Sequence, residues 1–120
     1  MAWLPAGEAL RQAYLNARMV VVPSRWYEGF PNVIVTAMML QRPVIATDLG
    51  AASSIITNDL DGQLFPLNNI DALITSIAEL YDNEATCRRL ALKGHASATS
   101  RFSAESVYET LMNIYQKLLL

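Results

Sequence analysis

One cysteine, one histidine, five glycines and five prolines in 120 residues close off several kinds of protein. The lone thiol, Cys87, excludes an internal disulfide framework and fits a reducing compartment. The lone histidine, His95, has no recognisable metal-ligand companion at a fixed spacing. Charged residues make up only 17% of the chain and sum to −2, which gives no electrostatic support for binding nucleic acid. No apolar run approaches the ~18 residues needed to span a bilayer. Met1 is not followed by a signal-peptide pattern, and neither an internal repeat nor a low-complexity segment appears. What is abundant is apolar residue, 52% of the chain, enough to fill a core. The composition predicts a soluble, cytoplasmic α/β domain, or a piece of one, rich in helix.

The segment from Val20 to Asp48, VVVPSRWYEGFPNVIVTAMMLQRPVIATD, is the most informative. Met19 to Val22 is an apolar, mostly β-branched run ended by Pro23, which suits a strand buried on both faces. Val33, Ile34 and Val35 are consecutive β-branched residues, for which propensity alone favours a strand. Pro31 suits the first turn of a helix, however, and Ala37 to Leu40 are good helix formers. Two short parallel strands also need a crossover between them, so a helix is predicted from about Phe30 to Leu40. Pro43 to Thr47 is the second buried strand, completing a βαβ unit of a parallel sheet.

Around this unit the pattern is mainly helical. Gly7 to Arg18 reads as a helix with Leu10, Tyr14 and Ala17 on one face. Gly50 to Thr57 is a small-residue loop leading into a short helical turn, and Asp61-Gly62 turns the chain into a short strand over Gln63 to Phe65. Asn68 or Asn69 caps a helix to about Tyr81, with Ile70, Leu73, Ile74, Ile77 and Tyr81 as its apolar stripe. After a break at Asp82-Asn83, a helix runs from Glu84 to about Ser97. Ser103 opens a last helix with a capping-box glutamate, and Val107, Leu111, Ile114, Tyr115 and Leu118 share its apolar face. About three strands of a partial, Rossmann-like parallel sheet are therefore expected, with residues 69–120 forming a helix-rich segment.

The turn Ser24-Arg25-Trp26-Tyr27-Glu28-Gly29-Phe30-Pro31 follows a strand and opens a helix. Free backbone N–H groups near Phe30 to Val33 would then face a site at the carboxyl edge of the sheet. Gly29 allows close approach of a ligand, Glu28 can accept hydroxyl hydrogen bonds, and a diphosphate or sugar ring is a natural occupant. Spacing alone leaves a ligand turn and an ordinary surface turn equally open. Trp26 and Tyr27 either line such a site or pack the turn, and Arg25 and Arg42 either approach phosphate or sit solvated in loops. Arg88 and Arg89 beside Cys87 could lower its pKa, against the simpler reading of an ordinary helix thiol. For His95 an exposed position near a helix end is expected.

The blocks PSRWYEGFPNVIVTAM and RPVIATD with a following glycine, Gly62 before a strand, and Phe102-Ser103 before the last helix together resemble one family. It is the carboxy-terminal domain of retaining, two-domain (GT-B type) glycosyltransferases of family 4, often called group 1. The resemblance runs from Tyr14 to the final helix. It implies a domain that binds a nucleotide-diphosphate sugar, generally without a metal or other cofactor, and a glycan or lipid-linked acceptor held by a separate upstream domain. The family pattern has two glutamates separated by seven residues, the first near the donor sugar and the second on the ribose. Glu28 holds the first position, as the implied catalytic residue, and Gly29, Phe30, Pro31 and Asn32 follow it as donor contacts. Thr36 stands where the second glutamate is expected. Replacing a carboxylate by a neutral hydroxyl there removes a charged hydrogen bond worth about 1.5–3 kcal/mol.

Two further departures are Gln41, where the family commonly has glycine, and Ser54, near an often acidic position after a glycine pair represented here by Gly50-Ala51. By the same resemblance Met19 to Val22 is the fourth strand of a donor domain whose first strand, like the acceptor domain, does not precede Met1. The expectation is thus the C-terminal half of a GT-B donor domain. It would belong to a glycosyltransferase of glycan or surface-polysaccharide synthesis, cytoplasmic or peripheral to the inner face of a membrane, and inactive as an isolated chain. The alternative is a non-catalytic remnant that self-associates through an exposed sheet edge. A flavodoxin-like nucleotide module is a third option, but its acidic or glycine-rich signature near a first strand does not appear.

Overall fold

The computed structural model describes residues 8–25 and 32–102. In chain order the elements are α1 (Glu8–Asn16), β1 (Val20–Val22), α2 (Asn32–Met39), β2 (Val44–Thr47), α3 (Ala51–Ile55), β3 (Gln63–Phe65), α4 (Ile70–Asp82) and α5 (Glu84–Phe102). The strands form a parallel sheet in the order β1-β2-β3. Val20 to Val22 stand beside Val44 to Ala46, and Ile45 to Thr47 beside Gln63 to Phe65. Parallel neighbours require a crossover, and α2 supplies it between β1 and β2. The competition over Val33 to Val35 is therefore decided for helix. Tertiary packing overrides the β-branched preference, because Ile34, Val35, Ala37 and Met38 are all buried in the core.

Strand alternation sorts the core into two layers. Val44 and Ala46, with the partly buried Val20, Val22 and Leu64, pack on the α2 side. Ile45 and Phe65, with Met19 and Val21, pack against Leu80, Cys87 and Leu90 on the opposite side. Helix α5 starts on that second side and crosses the amino edge of the sheet, so that Ala98 joins the α2 layer. At the crossing a Cβ on Gly94 would sit 3.0 Å from the Asp61 carbonyl oxygen and 3.6 Å from Met38 Cγ. Glycine there permits the helix to lie directly on the loop before β3.

Several boundaries and faces differ from the expectations. The central strand β2 is wholly buried, but β1 is only half-buried along its length, because it borders a single described strand. In α4 the buried residue is Leu80, with Leu73 and Ile77 partly buried. Ile70, Ile74 and Tyr81 of the expected stripe are 56%, 57% and 63% exposed. The helix lies along β3 at the sheet margin, so only a narrow strip of it meets the core. Asn69 does cap α4, its Oδ1 accepting from the Ala72 N–H at 2.9 Å. Helix α5 continues five residues beyond Ser97, since Ala98 to Phe102 contain no helix breaker and Ala98 is buried. The Ser103 cap, the last apolar face from Val107 to Leu118 and the Leu10 side chain lie outside what is described.

Candidate functional site

Three strands running the same way present their carboxyl ends together. Val22 leads into Pro23, Ser24 and Arg25; Thr47 leads into Asp48; Phe65 leads into Pro66. The ladder extends one bond past β2, with the Asp48 N–H donating to the Phe65 carbonyl at 2.8 Å. Thr47 is buried, and its hydroxyl makes a long contact of 3.5 Å to the Val22 carbonyl, tying the tips of β1 and β2. Asp48 is exposed, and its Oδ1 accepts from the Ser53 hydroxyl at 2.6 Å. Gly50 makes the intervening corner at φ 57° and ψ −131°, a conformation that strains any residue bearing a Cβ.

The amino end of α2 arrives at this same edge, because the helix must begin where β1 ends and return to the start of β2. Asn32 is its first residue and is exposed; Thr36 lies one turn on, half-buried, on the face away from Ile34, Val35, Ala37 and Met38. Asn32 and Thr36 are therefore stacked along one line of the helix, four residues apart. Val33, 46% exposed, completes this outer face and borders an apolar groove of about 360 Å³ along β1, lined also by Tyr14, Ala17 and Val21. Trp26, Tyr27, Glu28, Gly29, Phe30 and Pro31 lie outside the described residues. Arg25 is exposed at the carboxyl edge, as a residue near an anion site would need to be.

Other candidates move elsewhere. Arg42 sits at the amino edge, where its Nη1 donates to the Ala17 carbonyl at 3.3 Å and its Nε to the Leu40 carbonyl at 3.4 Å. It binds helix ends rather than the loop that follows a strand tip. His95 is half-buried in the middle of α5, with Nδ1 3.0 Å from the Met39 carbonyl oxygen. An Nδ1–H there donates to one of the unpaired carbonyls at the end of α2. Cys87 is buried, and its thiol donates to the Leu80 carbonyl at 3.0 Å. Burial pushes the Cys87 pKa up; the opposing cation is Arg18, not the adjacent Arg88 or Arg89. Among the described residues no group of three or more His, Cys, Asp or Glu side chains could hold a metal ion, and no helix is long and apolar enough to cross a membrane.

Two contributors escaped the sequence reading. Ser53 holds the Asp48 carboxylate, and its only signal was a hydroxyl five positions on, in the first turn of α3. Arg101 reaches from the end of α5 to the Ile55 and Ser54 carbonyls at 3.0 and 3.1 Å, fastening the short helix that follows this loop. Ser54, read as a departure near an acidic position, is exposed and contributes its carbonyl to that contact. Gln41 shows the cost of its own departure. It adopts φ 56°, with its N–H bonded to the Met38 carbonyl and the Arg42 N–H to the Ala37 carbonyl. That is a Schellman ending, in which glycine is the easy occupant.

Comparison with known proteins accords with this geometry. Residues 2–83 match the sequence profile of the family described as "Glycosyl transferases group 1". The O-antigen chain mannosyltransferase C of Escherichia coli is 30% identical over 104 residues, 85% of this chain and 28% of that protein. Sucrose-phosphate synthase from Thermosynechococcus elongatus superposes with a TM-score of 0.83 at 29% identity, over 93% of this chain and 28% of its own. The Anabaena protein Alr3699/HepE, solved in complex with UDP, superposes with a TM-score of 0.81 at 23% identity, covering 88% of this chain and 29% of its own. This chain thus spans less than a third of each. Its α/β architecture is that of the C-terminal half of a GT-B donor domain. By its sequence profile and by this half-domain, the chain belongs to the group 1 glycosyl transferases.

Proposed function

We propose that the chain is the donor-binding portion of a retaining, family 4 type glycosyltransferase that takes a nucleotide-diphosphate sugar and serves glycan or surface-polysaccharide synthesis. One observation carries the reading. The crossover helix α2 begins at the carboxyl edge of the parallel sheet, where helix amides and the helix dipole favour a diphosphate. The UDP held by the HepE protein and the mannosyltransferase name of the Escherichia coli relative support the same ligand class. In this reading Glu28 contacts the donor sugar as the catalytic residue, the Gly29, Phe30, Pro31 and Asn32 backbone faces the phosphate end, and Thr36 lies near the ribose. The chain forms part of a nucleotide-sugar-binding domain, the glycan or lipid-linked acceptor is bound elsewhere, no cofactor takes part, and the work is cytoplasmic. Calorimetric titration with UDP and GDP on the wild type and on Thr36→Glu tests it. The glutamate should tighten at least one nucleotide, and no change with either would remove Thr36 from the ribose. The 120 residues alone should show no sugar transfer, and turnover by the purified chain would refute that part.

A second reading rests on a separate feature. The outer side of β1 borders no described strand, and the apolar groove beside it exposes Val33. Such an edge invites pairing with another copy, as a non-catalytic, self-associating chain would require. Sedimentation velocity across a wide concentration range separates the two: a monomer throughout rejects self-association and leaves the donor reading intact.

A further inference from the structure

At the amino edge of the sheet, away from the start of α2, a cavity of about 430 Å³ opens beneath α5. Arg18 comes to it from the segment between α1 and β1, Arg42 from between α2 and β2, and Arg88 from α5. Three of the nine lysines and arginines of a chain with net charge −2 thus converge on one concavity. The one carboxylate in its lining is Glu84, 3.5 Å from Arg88. Both of those side chains are largely exposed, at 72% and 79%, so the pair is weak and easily exchanged. Two guanidinium charges remain in excess. Gathering like charges around one concavity is unfavourable without a counter-charge, and it focuses an attractive field on anions.

Two of the arginines are also held. Arg42 spends two N–H groups on the Ala17 and Leu40 carbonyls, which fixes its plane and leaves the rest of its five donors to spare. Arg18 lies over the Tyr81 ring, 4.9 Å from its centroid, with no carboxylate partner among the described residues. Gln41 lines the same cavity. Planar forks with fixed orientation suit bidentate contacts to phosphate oxygens. We propose that this cavity is a second, independent anion site that takes a phosphate or diphosphate group on Arg18, Arg42 and Arg88. Such a group comes either from a free metabolite or from a phospholipid headgroup. The site does not depend on the donor reading, since it lies at the other end of the strands.

Cys87 lines the cavity and is the only thiol of the chain; buried and bonded to the Leu80 carbonyl, it reacts slowly, and the rate reports how far an occupant closes the cavity. An anion on Arg18 would cancel the charge that opposes the burial-raised thiol pKa, and so would slow alkylation as well as block it. The experiment measures iodoacetamide alkylation of Cys87 in the full chain, with inorganic pyrophosphate or with phosphatidic acid vesicles, beside calorimetry with pyrophosphate. Saturable protection by pyrophosphate is expected. Arg18→Gln and Arg88→Gln, both at exposed positions, should each weaken Kd about tenfold with an unchanged circular dichroism spectrum. Lys93→Gln, on α5 but outside the lining, should leave Kd unaltered. Protection by vesicles alone identifies the headgroup as the source. Failure of both probes to protect Cys87, or protection of Cys87 that survives loss of both Arg18 and Arg88, overturns the proposal.

Discussion

The two ends of one three-stranded sheet offer opposite kinds of chemistry. At the carboxyl end, the strands run out into Ser24, Asp48 and Pro66, and α2 begins; the attraction for anions is that of backbone amides and a helix dipole. At the amino end, the strands start beneath α5, and the attraction comes from side chains: Arg18, Arg42 and Arg88 around one cavity. A backbone site needs a strand, a turn and a helix in sequence order. A side-chain site needs residues 18, 42 and 88, distant in the chain, to be folded together. The first kind follows from the order of elements along the chain, and the second from tertiary packing alone.

Both ends hang from β2, so the most severe test of the comparison is to damage that strand. Ile45 is fully buried on the α4 side of the sheet, in contact range of Phe65, Leu80 and Leu90. Ile45→Ala should lower unfolding free energy by about 2–5 kcal/mol, the cost of lost burial plus the cavity left behind. A urea titration should show an earlier midpoint with anion binding weakened at both ends. A loss well under 1 kcal/mol would mean that the ends are not braced by a common core. The next effect is local. Thr36→Glu should strengthen nucleotide binding by about 1.5–3 kcal/mol, the worth of a charged hydrogen bond, and leave pyrophosphate protection of Cys87 unchanged. If the same substitution altered Cys87 alkylation, the two ends would be coupled rather than separate.

These two ends also differ in how far the sequence reveals them. Pro23, Pro31 and the apolar runs on either side were enough to order β1, α2 and β2, although Val33 to Val35 argued locally for a strand. The left-handed position at Gln41 could be foreseen from the place where a glycine is common, and it has φ 56°. The faces of α4 could not. A period of 3.6 finds the apolar residues of a helix but not how wide a strip its neighbours cover, and α4 at the sheet margin leaves Ile70, Ile74 and Tyr81 outside. Ser53 and Arg101 were illegible for a related reason: each acts on a backbone or side-chain group whose position depends on tertiary packing. The arginine cavity is the extreme case, since none of its three cations is near another in sequence.

Two smaller effects test the elements that frame each end. Asn69 caps α4, whose first residue follows the turn leaving β3 at the carboxyl end, through a 2.9 Å bond to the Ala72 N–H. Asn69→Ala should cost about 1 kcal/mol and lower Tm without changing either anion affinity. A Tm equal to that of the wild type would show that the capping bond is replaced by water at no cost.

The smallest effect has the opposite sign. Gln41 ends α2 at φ 56°, in the left-handed region, where a Cβ costs about 1–2 kcal/mol. Glycine removes that strain but gives the unfolded chain more freedom, worth about 0.5–1 kcal/mol. Gln41→Gly should therefore stabilise the fold by about 0.5–1 kcal/mol, read as a later urea midpoint at an unchanged slope. Because Gln41 also lines the arginine cavity, the same variant should bind pyrophosphate slightly less tightly. Stability gained while anion affinity falls would show that the left-handed strain is retained at the amino end for what the side chain does there. Stability gained with affinity unchanged would make Gln41 a plain substitution for glycine, and would confine the anion site to its three arginines.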